Sequence, residues 1–162
     1  MLIAQIILSG TFATIIMDLC ASFLAKRKII HPFITQNELG RWFLYLFKGK
    51  YFHQNITTTP PLKNEKLWCF ISHYLIGIVL TGFYFGMELK FPWMKNQFWL
   101  PIFYGFVTVI FPWFWLLPSI NMGFVAAKSE QRSKIIRTNI TNHTVFGLGI
   151  LLWMILIKPL FP

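Results

Sequence analysis

Residues 2–28 read LIAQIILSGTFATIIMDLCASFLAKRK, and this stretch decides the fold. From Leu2 to Ala25 the only formal charge is Asp18, and the run closes on Lys26, Arg27 and Lys28. About 20 mostly apolar residues cover the roughly 30 Å of hydrocarbon in a bilayer, so residues 2–25 are long enough to cross. No Lys or Arg precedes residue 26, which leaves out the basic start of a signal peptide. The expectation is a retained helix with a short, translocated N-terminus.

The same reading repeats along the chain. Residues 67–87 form a second span, between Lys66 and Glu88 and containing His73. Residues 96–127 carry no formal charge, and a third span falls near 98–123, with kinks expected at Pro112 and Pro118. A fourth, 138–157, lies between Arg137 and Lys158 and contains Asn139, Asn142 and His143. Composition agrees: of 162 residues 56% are apolar and 19% aromatic, while 12% are charged. Soluble domains carry about 25% charge, so a soluble globule, a disordered chain and a disulfide scaffold are all excluded. Cys20 and Cys69 fall inside spans, outside any CxxC, and read as small apolar fillers. The fold class is all-α: a four-helix transmembrane bundle in one membrane domain, 1–162, with a short interfacial helix in the first loop.

Charge placement orients it. The net charge is +10, and the Lys and Arg residues alternate between loops. Loop 26–66 holds eight and loop 124–137 holds four, against two (Lys90, Lys95) between the second and third spans and Lys158 in the tail. Basic loops stay in the cytoplasm. Both termini are therefore expected outside, with loops 26–66 and 124–137 inside, as in a bacterial inner-membrane protein. The basic loops suit anionic lipid; nucleic acid, which needs a solvated basic face, is not an expected partner. The Asn-x-Thr matches at Asn55, Asn139 and Asn142 lie on the cytoplasmic side or in a span and read as accidental.

Loop 26–66 is too long for a simple connection. Thr35-Gln36-Asn37-Glu38 fits a capping box and predicts a helix starting there. Its basic and aromatic residues suit the membrane interface, with Trp42, Phe43 and Tyr45 in the headgroup zone. A second reading makes Arg41, Lys50 and His53 a rim that attracts an anionic substrate, with Glu65 and Asn121 beside it.

Ionisable residues within spans are costly and are functional candidates by default. At about 1.5 Å per residue, Asp18, His73 and His143 all lie roughly 8–10 Å from the cytoplasmic helix ends. Ser119 and Asn121 fall in a similar layer. Gly10, Thr14 and Asp18 share a helix face, as do His73, Gly77 and Thr81, and His143 and Gly147. A polar layer is thus expected above a tight small-residue seam. Four readings remain open for it. It can be a hydrogen-bonded lock between helices. It can be a divalent transition-metal site, such as zinc, on Asp18, His73 and His143 with His53 as a fourth ligand. It can be an acid–base centre in which Asp18 orients a histidine. It can be a proton-coupled carrier of small solutes, assembled as a homodimer.

The residues carry a resemblance over nearly the whole chain. They are Gly10-x-x-Ala-Thr-x-x-Met-Asp18-Leu, Gly40-Arg41-Trp42, Phe52-His53, Pro60-Pro61 with Glu65, and His73-Tyr74-x-Ile-Gly77-Ile. Gly105-x-x-Thr108-Val with Pro112 and Pro118, and Thr141-Asn-His143-x-x-Phe146-Gly147, complete the set. Together they resemble a family of small bacterial integral membrane proteins, the domain of unknown function numbered two-nine-three-eight. The resemblance implies four membrane helices and supplies no activity. The insert is richer in Lys and aromatics than the family pattern.

Overall fold

The computed structural model describes residues 2–160, and no strand occurs among them. The elements are α1 (Leu2–Lys26), α2 (Gln36–Leu46), α3 (Glu65–Lys90), α4 (Leu100–Val107), α5 (Leu117–Ser119) and α6 (Arg132–Leu152). A wider turn, Pro112–Leu116, joins α4 to α5, and another, Trp153–Ile157, prolongs α6. Four stretches are long and apolar enough to cross a membrane: Leu2–Lys26, Glu65–Lys90, Leu100–Ser119 and Arg132–Ile157. The fourth helix starts earlier than the sequence suggests, because backbone hydrogen bonding continues past the edge of the apolar run.

Proline shapes the third span. Pro112 has no N–H to offer the Thr108 carbonyl, which accepts from Phe111 at 3.1 Å instead. Beyond it the Leu117 N–H reaches back five residues to the Pro112 carbonyl, and the helix loosens by one residue per turn. The winding therefore changes at Pro112, while Leu100–Ser119 remains one span.

Glycine sets the helix crossings. α1 packs between α3 and α6, and α4 packs on the far side of α6. A Cβ added at Gly10 would stand 2.6 Å from the Ile78 Cα, and one at Gly149 would stand 2.7 Å from the Ala13 Cα. At Gly105 it would meet the Gly147 Cα at 2.5 Å. The expected small-residue seam is present, with backbones close enough for dispersion to hold helices together in lipid. Outward faces are apolar: Ile15, Leu19 and Phe23 on α1, and Phe70, Leu75, Val79 and Phe83 on α3, are exposed.

The interior divides into two apolar clusters. One, at the end away from α2, gathers Ala13, Leu80, Tyr84, Phe85, Leu100, Phe146, Ile150 and Trp153. The other, at the α2 end, gathers Trp42, Ile56, Leu117, Ile120, Ala126 and Ile135. Thr108 on the third span and His143 on α6 fall between them.

The capping box forms as expected: the Glu38 amide donates to Thr35 Oγ1 at 3.2 Å, and the Thr35 amide donates to Glu38 Oε2 at 2.8 Å. α2 forms in the expected loop, with Trp42 more enclosed than expected. It packs against α3, and Trp42 is 4% exposed, edge-on to Trp115 at 5.6 Å. Gly40 permits this docking, since a Cβ there would collide with the Glu65 carbonyl. Trp42 closes one end of the bundle and is enclosed there.

Candidate functional site

Asp18 and His73 meet across the α1–α3 crossing, one turn beyond the seam. His73 Nε2 lies 2.9 Å from Asp18 Oδ1, and the Tyr74 hydroxyl donates to Oδ2 at 3.3 Å. Local sequence explains the meeting. Gly10, Thr14 and Asp18 line one face of α1, and Gly77 lets that face come close enough that the Thr14 hydroxyl packs where a Gly77 Cβ would be. The Thr14 Oγ1 stays satisfied by donating to the Gly10 carbonyl at 2.8 Å. The pair is open: the His73 and Asp18 side chains are 34% and 44% exposed. The Asp18 carboxylate makes two contacts within the chain, one at each oxygen.

His143 takes a different partner. Its Nδ1 lies 2.8 Å from Thr108 Oγ1, and that hydroxyl donates to the Gly105 carbonyl at 2.6 Å. The hydroxyl proton being committed, the ring donates through Nδ1–H. This bond joins α6 to the third span where Gly105 and Gly147 touch. The expected three-residue centre is thus two pairs, each clipping neighbouring helices.

The fourth expected ligand and the rim residues need correction as well. His53 is 3% exposed within the insert, edge-on to Tyr45 at 5.3 Å, and its amide donates to the Ser119 carbonyl at 2.7 Å. Its Nδ1 lies 3.1 Å from Thr59 Oγ1, whose own proton goes to the Asn55 carbonyl. The ring therefore donates through Nδ1–H, and Nε2 is buried without a partner. Burial first, and Lys50 second, hold its pKa below the ordinary histidine value. Among the described residues no three His, Cys, Asp or Glu side chains gather to hold a metal ion. Asp18, His73, His143 and His53 do not form the ligand set the sequence suggested, because each ring is claimed by a neighbour on its own packing interface.

Arg41 is a strut and does not form a rim. Its Nε and Nη2 donate to the two Glu65 oxygens at 2.6 and 3.1 Å, and Nη1 donates to the carbonyls of Ile56, Thr57 and Thr59. Hydrogen bonding to Glu65 raises the Arg41 pKa above its ordinary value against the opposing effect of burial. The Leu62 amide donates to Glu65 Oε1 at 2.7 Å, so the carboxylate ties α2, the start of α3 and the loop between them. Asn121 sits in the left-handed region at φ 66°, which Asn tolerates. Its Nδ2 donates to the Gln54 carbonyl at 2.8 Å and its Oδ1 accepts from Lys128 Nζ at 2.8 Å. It pins the insert to the loop after the third span.

Two partners were missed from sequence. Tyr74 directly follows His73, and Thr108 stands one turn after Gly105; that small-xx-hydroxyl spacing was the available signal. A cleft of about 300 Å³ opens one turn beyond Asp18 toward the α2 end. Ala21, Ser22 and Ala25 wall it from α1, three, four and seven residues after Asp18 on the same face, with Thr138 and Asn142 opposite on α6.

Four apolar helices, a glycine seam and ionisable pairs set into the helix interfaces define a polytopic membrane protein. The model of the family described as protein of unknown function (DUF2938) matches residues 7–157, and the chain belongs to that family. No curated protein and no solved structure matches it.

Proposed function

We propose that this is a multi-pass bacterial inner-membrane protein that binds a small amphipathic ligand at the Asp18–His73–Tyr74 group. The observation that carries this reading is the exposure of the Asp18–His73 pair. A lock would bury both groups, whereas here a carboxylate with unused lone pairs and an imidazole each keep a third or more of their surface open. At a depth of roughly 10 Å within a membrane helix, such a surface is costly against hydrocarbon. A ligand's polar head on the pair removes that cost; the 300 Å³ cleft is lined by Ala21 and Ser22, one turn along α1, and not by the pair itself. His73 can exchange a proton with the head while Asp18 orients the ring. The loop charges support an α2 end in the cytoplasm, so the ligand enters from there or from the inner leaflet.

A structural role is favoured for the other polar pairs by their saturation. Arg41–Glu65 and His143–Thr108 spend their donors within the chain.

The test is native mass spectrometry of protein purified in mild detergent, comparing wild type with Asp18→Asn and His73→Gln. The expected result is an amphiphile retained by wild type and lost by both variants, with melting temperatures close to wild type. Equal retention, or marked destabilisation of both variants with no ligand on wild type, makes the pair a lock and overturns the proposal.

A further inference from the structure

The bundle end away from α2 carries a second polar group that the Asp18 site does not use. Glu88, on the last turn of α3, is 3% exposed. Its Oε2 accepts from Lys158 Nζ at 3.3 Å, and its Oε1 is buried with no partner. Lys158 is held in place: its ammonium also lies 5.3 Å from the Phe85 ring centroid. Both residues line a cleft of about 500 Å³ with Lys95, Phe98, Met154 and Ile155. Lys95 is exposed, on the turn Pro92–Asn96, and no hydrogen bond or ion pair engages it among the described residues.

We infer that this cleft binds the head of one glycerophospholipid. The two ammonium groups against one carboxylate leave a surplus of one positive charge, which suits a phosphodiester monoanion between Lys95 and Lys158. The floor of Phe98, Met154 and Ile155 receives the glycerol and the first methylenes of the chains. Leu89 and Trp99, next in sequence to the lining residues Glu88 and Phe98, are exposed apolar side chains. The unpartnered Glu88 oxygen selects a head whose far ester carries a donor, since a buried acceptor left unmade is costly. A phosphoglycerol head meets all three conditions. This site is separate from the Asp18–His73 group, so either proposal can fail alone.

The test uses delipidated full-length protein in detergent and titrates dioleoyl phosphatidylglycerol, dioleoylglycerol and free glycerol phosphate by native mass spectrometry. The expected result is one phosphatidylglycerol per chain, with neither other probe competing. Lys95→Gln, at an exposed position outside the packing, is expected to bind about tenfold more weakly, as for one lost charge-assisted hydrogen bond. Asp18→Asn is expected to bind the lipid as wild type does. Glu88→Met, which keeps the length and offers no oxygen acceptor, is expected to lose the preference for phosphatidylglycerol over the methyl ester of phosphatidic acid. Unchanged binding in Lys95→Gln, or equal binding of dioleoylglycerol, overturns the inference. Competition by glycerol phosphate at the same concentration makes the site one for soluble phosphate esters and overturns the lipid assignment.

Discussion

Replacing Arg41 with Ala tests the strut. The substitution removes both bonds to Glu65 and strands a carboxylate whose side chain is 6% exposed. It also leaves the carbonyls of Ile56, Thr57 and Thr59 without their donor. Breaking a buried ion pair from one side costs about 3–5 kcal/mol, because the remaining charge stays buried and uncompensated. Arg41→Lys keeps the charge but not the planar fork, so it recovers only part of that loss. The double variant Arg41→Met, Glu65→Gln removes both charges and is expected to lose less than Arg41→Ala alone. Unfolding in mixed micelles of rising SDS fraction measures the change. Because the chain holds seven Trp, far-ultraviolet circular dichroism follows the transition. Because the pair is buried, the difference is expected to persist at high salt. A loss under about 1 kcal/mol, the range of an exposed ion pair, would falsify the strut and return Arg41 to a substrate rim.

Gly77→Ala places a methyl against the Thr14 hydroxyl and is expected to destabilise by about 1–3 kcal/mol. Gly86→Ala, where a Cβ meets nothing within 4 Å, is the control and is expected to be neutral or mildly stabilising in the same unfolding assay. Thr108→Val leaves the His143 Nδ1–H without its acceptor, at a cost of about 1–3 kcal/mol, and Thr108→Ser restores it. Similar stabilities for the Val and Ser variants would remove that bond from the account. The insert is expected to loosen in acid. His53 has a pKa below its unfolded value, so the unfolded chain binds more protons between the two. Its stabilising contribution is full above about pH 6.5 and is lost as pH falls toward the depressed value. Protection factors of the amides at residues 50–59, which divide out the intrinsic slowing of exchange in acid, are expected to fall from pH 7 to pH 5 in wild type and to change less in His53→Gln.

The four spans were legible in sequence because crossing hydrocarbon is a local requirement: length and apolarity of one segment decide it. The capping box was legible for the same reason, since both of its bonds lie within four residues. The seam was legible from spacing, because small residues four apart on a helix leave room for one neighbour only along that stripe. Spacing gave an expected depth, with Asp18, His73 and His143 in one layer. Depth does not specify rotation about the helix axis or the order of helices around the bundle. Those follow from which glycine faces which backbone: Gly77 with Thr14 brings His73 to Asp18, and Gly105 with Gly147 gives His143 to Thr108. Arg41 could not be read as a strut, because its five acceptors come from four residues that converge only when α2 docks through Gly40. Sequence alone thus determined which segments are long and apolar enough to cross a membrane. Tertiary packing alone decided who partners whom, because pairing across helices depends on close approach between backbones far apart in the chain.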